Sequence, residues 1–166
     1  MAALISSQPY AAEIRRLCAD AVPNGVAVTP EPGTAVEQDL LLLRPRTDPD
    51  LSPQVRRVGD HDLLVQFRNR DEQLVYEFWT NSFTGTVTPE DRSVDLLEQH
   101  GAEHFPGTLR RFRTRIRRAV PSDAVFSSSL QQTYLQDGAR MADVTITCTR
   151  GVDVLAQAWA TYALPD

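Results

Sequence analysis

From Asp143 to Arg150 apolar and polar residues alternate strictly, and a second strand-like run extends from Val152 to Leu164, so the end of the chain is predicted to be a long antiparallel hairpin. Val144, Ile146 and Cys148 fall on one face, and Asp143, Thr145, Thr147 and Thr149 on the other. A three-residue loop at Arg150-Gly151 would set Cys148 opposite Val154, Ile146 opposite Ala156 and Val144 opposite Ala158. The polar face then gathers Thr145, Thr147, Leu155, Gln157, Trp159 and Thr161. Ser127 to Gln136 reads as a strand that enters this hairpin through Asp137-Gly138.

Upstream, Tyr10, Ile14, Leu17, Cys18 and Ala21 recur at three- and four-residue steps, which predicts a covering helix from Pro9 to Ala21 with Ser7 as a candidate cap and Pro23-Asn24-Gly25 as its stop. A short strand follows at Val26 to Thr29, and Leu40 to Leu43 is read as a strand because Asp39 and Arg44-Pro45 leave too little length for a helix. Thr47 to Pro53 is a loop rich in turn formers. Val55–Val58, Leu63–Arg68 and Leu74–Thr80 form a meander, with Val75, Glu77 and Trp79 sharing one face of its last strand. Thr88-Pro89-Glu90-Asp91 has the hydroxyl, proline and acidic residues of a helix start, and Val94 and Leu97 point inward from that helix. Leu109, Phe112, Ile116 and Ala119 or Val120 continue at helical spacing, although Phe112, Thr114 and Ile116 also alternate as a strand would.

These elements define an α+β chain of one domain over residues 1–166, a curved antiparallel sheet covered by about three helices. The order of helix, strands, helices and long meander resembles the NTF2-like cone-shaped folds in outline, and that resemblance implies a cavity rather than any particular residue. Glu77, Tyr134, Gln157, Trp159 and Tyr162 are the residues expected to line it, an aromatic wall with a few polar groups suited to a small apolar ligand.

Charge adds one feature. All 17 basic residues are arginines, and six of them, Arg110, Arg111, Arg113, Arg115, Arg117 and Arg118, surround one apolar stripe, leaving eleven against 22 acidic residues elsewhere. A helix so decorated is a candidate docking surface for an acidic protein partner or for self-association. A net charge of −5, with no glycine-rich phosphate loop, ranks nucleic acid below a protein partner. Cys18 and Cys148 fall on core faces and are expected to be buried and reduced. No stretch approaches the length of a membrane span and no basic, apolar leader opens the chain, so a cytoplasmic location is the expectation.

Catalytic and metal motifs are sparse. His100 and His104 stand four apart without a third ligand, so no metal is expected, and no cofactor motif is present. Asp60-His61-Asp62 lies in a turn, and Ser127-Ser128-Ser129 lacks a nucleophile elbow. The first expectation is therefore a non-enzymatic interaction or assembly domain using the arginine helix and a sheet face. The alternative is a small enzyme or carrier, of cyclase or isomerase type, acting on an apolar metabolite in the cavity by positioning and acid–base help from Glu77 or a tyrosine.

Overall fold

The computed structural model describes residues 9–44 and 50–166. The Ser7 cap and the start of the Thr47 to Pro53 loop lie outside them. Ten elements follow in order: α1 (Tyr10–Ala21), β1 (Val36–Leu42), β2 (Ser52–Val58), β3 (Asp62–Arg68), β4 (Leu74–Thr80), α2 (Pro89–His104), β5 (Thr108–Ile116), β6 (Val125–Gln136), β7 (Ala139–Arg150) and β8 (Asp153–Ala163). All eight strands belong to one antiparallel sheet of order β2-β3-β4-β1-β5-β8-β7-β6.

Alternation dictates which face is covered. Leu63, Val65, Phe67, Tyr76, Phe78, Leu40, Phe112, Ile116, Val144, Ile146 and Cys148 are all buried, and they lie on one side by register. Both helices pack on that side through Ile14, Cys18, Val94 and Leu97. Ala156, Ala158 and Ala160 on β8 are buried beside them, and their short side chains let a helix approach the sheet closely. The other face of the sheet has no helix over it among the described residues, and its side chains are mostly half-buried or exposed.

α2 starts as its sequence directs. Thr88 Oγ1 accepts from the Asp91 N–H at 3.1 Å and Asp91 Oδ2 accepts from the Thr88 N–H at 3.0 Å, a reciprocal cap ahead of Pro89. By contrast the residue at the cap position of α1 is Pro9, which offers no side-chain cap. Its first N–H groups are satisfied by Glu98 of α2, whose carboxylate accepts from Tyr10 at 2.6 Å and Ala11 at 2.9 Å. The two helices are thereby held together at one end.

Three expectations are corrected. Among the described residues there are two helices rather than about three, because residues 108–116 form β5. The strand wins because Phe112, Thr114 and Ile116 all meet the covered face, while Arg111 and Arg115 on the opposite face find Asp39 and Glu37 waiting on β1. The six arginines of residues 110–118 lie on no helix; Arg117 and Arg118 follow β5, their N–H groups bonding to the Leu155 carbonyl. The terminal hairpin keeps its predicted faces but shifts by two residues, with Cys148 opposite Ala156, Ile146 opposite Ala158 and Val144 opposite Ala160. The cause is a two-residue turn between Arg150 and Asp153, with Gly151 at φ 61°, followed by a bulge at Cys148/Thr149. Val26 to Thr29 reduces to a single bridge between Val28 and Phe83.

Candidate functional site

The covered face carries a polar interruption. Across three neighbouring strands Thr80, Gln38 and Thr114 stand side by side, in register, where the apolar pattern would otherwise continue. All three are buried, at 0%, 4% and 3% exposure, and the first turn of α2 lies over them. Gln38 Nε2 donates to Asp91 Oδ1 at 3.0 Å, which ties the sheet to the helix start. Thr80 donates its hydroxyl to the Glu37 carbonyl at 3.0 Å. The Gln38 Oε1 and Thr114 Oγ1 atoms are buried without a protein partner, on residues directly opposite each other. Buried polar atoms left this way are uncommon.

Arg15 of α1 completes the cluster. Its Nη2 bridges both Asp95 oxygens at 2.8 and 2.7 Å, and its Nε stands 3.9 Å from Asp91 Oδ2. Burial pushes the Asp95 carboxyl up, against the hydrogen bond and charge of Arg15. In front of this cluster a cleft of about 470 Å³ opens between α1, the loop before α2 and the start of α2. Its walls include Ala12, Phe83 and Val87, with Arg15, Asp91 and Asp95 exposed to it. Its volume suits a small ligand, and its lining mixes these apolar residues with threonines and charged side chains.

Glu98 sets a pH dependence on this assembly. Burial raises its carboxyl from the ordinary 4.5 to about 7, opposed by the two N–H groups of α1. The folded chain therefore holds that proton more tightly than the unfolded chain, and this stabilisation is complete at low pH and lost as pH rises from 4.5 to about 7. Melting temperature measured across that window should fall in the wild type by an amount that Glu98→Gln removes, the slope being at most ~1.4 kcal/mol per pH unit. Equal slopes in both proteins would refute it.

The residues singled out from sequence are divided between the two faces. Tyr134, Trp159, Gln157 and Glu77 lie on the uncovered face, whereas Tyr162 is buried on the helix side, its ring 6.1 Å from that of Phe105. A groove of about 380 Å³ brings Tyr134 and Trp159 together with Arg111, Arg113, Asp143 and Thr161. There Asp143 accepts from Tyr134 at 3.1 Å, Thr161 at 2.8 Å and Gln132 at 2.6 Å, and those bonds hold its carboxyl below the usual range despite burial, which pushes upward. Gln157 and Glu77 do not line that groove; Glu77 accepts from Gln66 at 3.0 Å. Of the arginines, Arg111 makes a two-pronged bond to Asp39 at 3.1 and 2.7 Å, Arg115 reaches Glu37 at 3.5 Å, and Arg113 sits 5.6 Å over the Trp159 ring. Arg110 is half-buried, and Arg117 and Arg118 are exposed.

Other motifs are occupied structurally. His61 Nδ1 lies 2.8 Å from the Thr29 carbonyl rather than facing a carboxylate partner in its own turn. His100 and His104 stack on each other at 4.1 Å, and no group of three possible metal ligands occurs among the described residues. Cys18 and Cys148 are free and buried, and burial pushes the Cys18 thiol up to about 12. No helix among the described residues is long and apolar enough to cross a membrane. Sequence reasoning missed Gln38, Asp91 and Thr114. Gln38 and Thr114 were signalled by a polar residue on an otherwise apolar stripe in Val36–Leu42 and Phe112–Ile116.

No family model and no curated protein matches this chain. Several solved structures do, two of them as follows. One is a Lactobacillus plantarum protein provisionally assigned as an oleoyl thioesterase, 10% identical, with 80% of this chain and 76% of that chain covered at a TM-score of 0.51. The other is a tesB protein of Mycobacterium avium subs paratuberculosis, 13% identical, with 95% and 87% covered at a TM-score of 0.54. At such identities the likeness is one of fold: this α+β chain is similar to hotdog-like thioesterase folds, and the NTF2-like outline expected from its element order describes it only loosely.

Proposed function

We propose that the chain is a small-molecule enzyme that hydrolyses an apolar acyl thioester in the cleft between α1 and α2. The observation that carries this reading is the buried trio Asp91, Gln38 and Thr114, with two polar atoms unpartnered, beneath the first turn of α2, of which Asp91 also lines the cleft. A water seated there donates one hydrogen to Gln38 Oε1 and the other to the Asp91 carboxylate, and accepts from the Thr114 hydroxyl. Its remaining lone pair attacks the thioester carbonyl carbon while Asp91 takes its proton. Collapse of the tetrahedral intermediate breaks the C–S bond, and the proton on Asp91 goes to the leaving sulfur, giving a carboxylic acid and a thiol. The positive end of α2 and the Arg15 guanidinium favour the negative charge that develops in the transition state.

A docking domain built on the arginines has less support, since Arg111 and Arg115 are engaged by Asp39 and Glu37 within the chain.

Thr114→Val tests the proposal sharply. Its hydroxyl has no protein partner, so an isosteric methyl leaves stability unchanged or improves it. Thiol release from a panel of acyl thioesters of graded chain length should nevertheless drop ~100-fold in kcat/KM. A wild-type protein that cleaves none of them, or a valine variant as active as wild type, defeats this mechanism.

A further inference from the structure

Arg15 lines the cleft between α1 and α2 with hydrogen-bonding capacity unused. The residue is only 8% exposed, yet of its three guanidinium nitrogens Nη2 alone is hydrogen-bonded, to Asp95. Nε and Nη1 are buried without a protein partner, Nε standing 3.9 Å from Asp91 Oδ2, beyond hydrogen-bonding range. Donors on a buried charge are rarely left without an acceptor, because an unmet one costs more than on a neutral group. The rest of the lining defines the acceptor that fits. Arg16 and Arg92 also face the cleft, both exposed and neither within ion-pair distance of a carboxylate among the described residues. Three arginines thus meet two aspartates there, and Asp91 is already engaged by Gln38 and by the Thr88 N–H. In a chain of net charge −5 this is a locally positive cleft, and Ala12, Phe83 and Val87 give it an apolar wall. A singly charged, planar anion with an apolar tail meets all of these features.

We propose that Arg15 holds the carboxylate of a free organic acid on the donors that Asp95 leaves idle, with the acid's apolar chain against the cleft wall. Arg16 and Arg92 at the rim draw the anion in. The carboxylate site stands on this geometry; that the acid is the enzyme's own product rests on the hydrolase reading above. Asp91, the base of that reading, is the carboxylate beside Arg15 Nε, so the carboxyl group formed by C–S cleavage arises next to the guanidinium that binds it. At neutral pH that group is ionised, and a charged acceptor binds a guanidinium more strongly than the neutral thioester it came from. The released acid therefore occupies the cleft against the next substrate, and turnover is restrained by its own product.

Calorimetric titration of the full chain with octanoate and with octanamide, its uncharged counterpart, tests this directly. Octanoate should bind ~10-fold more tightly than octanamide, and Arg15→Gln should abolish that preference. Since Arg15→Gln also releases Asp95, a second variant keeps the test independent of folding. Arg16→Gln combined with Arg92→Gln, both at exposed positions, should weaken octanoate ~3-fold or more and leave octanamide unchanged, whereas Arg117→Gln, outside the cleft, should alter neither. Octanoate should also inhibit cleavage of octanoyl-N-acetylcysteamine competitively. Charge-selective binding through these arginines in a protein that cleaves no thioester would support the carboxylate site and remove the hydrolase reading. Thioester cleavage with octanoate bound no better than octanamide, bound indifferently to all three arginines, or inhibiting non-competitively would overturn the present proposal and leave the hydrolase reading in place.

Discussion

Gly101→Val should lower stability by about 3 kcal/mol or more, by the overpacking and strain that a branched side chain brings to a filled site. Gly101 faces the sheet from the middle of the last turns of α2, and even a single added Cβ would lie 2.3 Å from Tyr162 Oη and 2.9 Å from Ile146 Cδ1. Neither neighbour yields easily. Tyr162 and Ile146 are 2% and 0% exposed, and the tyrosine ring is stacked on Phe105. The few tenths to ~1 kcal/mol gained by replacing glycine within a helix does not compensate. Tyr162 Oη itself is buried without a hydrogen-bond partner, and burial next to Glu98 raises its pKa. Tyr162→Phe alone should therefore be neutral or stabilising, and Gly101→Ala should be tolerated far better in that background than in the wild type. Denaturant unfolding of the four proteins of this cycle gives the coupling directly, expected at about 1–2 kcal/mol. Additive single effects would mean that the close approach of Gly101 to the phenol has no energetic weight.

Asp91→Asn should reduce kcat/KM for thioester cleavage by ~10²–10⁴, the range lost with a general base. The substitution preserves volume and removes the group that accepts the proton. It also disturbs structure, because the carboxylate accepts from both Gln38 Nε2 and the Thr88 N–H, and a carboxamide that serves one with its oxygen presents its NH2 toward the other. A stability loss of about 1 kcal/mol is expected from that mismatch, together with the weaker balance for Arg15. The two effects separate by measurement at low temperature, where the variant remains folded. If cleavage tracks the folded fraction rather than falling independently of it, Asp91 is a structural cap alone.

Much of the framework was legible because period decides it. The alternation in 143–150 and 63–68, and the Thr88-Pro89 helix start, each correspond to an observed element with the predicted face buried. Residues 108–116 illustrate where pattern fails: Leu109, Phe112 and Ile116 satisfy a helical step and Phe112, Thr114 and Ile116 a strand step, and the outcome depends on Asp39 and Glu37, some seventy residues earlier in the chain. The hairpin register was lost for a local reason, since the bulge at Cys148/Thr149 adds a residue that no alternation rule counts. Candidate chemistry was read from aromatic and charged residues on the open face, yet the buried cluster beneath the start of α2 consists of polar residues on an apolar stripe. Gln38 and Thr114 are 76 positions apart in sequence and become neighbours only through the pairing of β1 with β5.

The dependence of α1 on Glu98 has a consequence for biosynthesis. A nascent chain emerges from its N-terminus, so α1 leaves the ribosome well before the carboxylate 88 residues downstream that satisfies its opening amides. A segment of twelve residues is too short to hold a helix by itself in water. α1, made before α2, is thus expected to set after it and to close over the sheet only once α2 has docked.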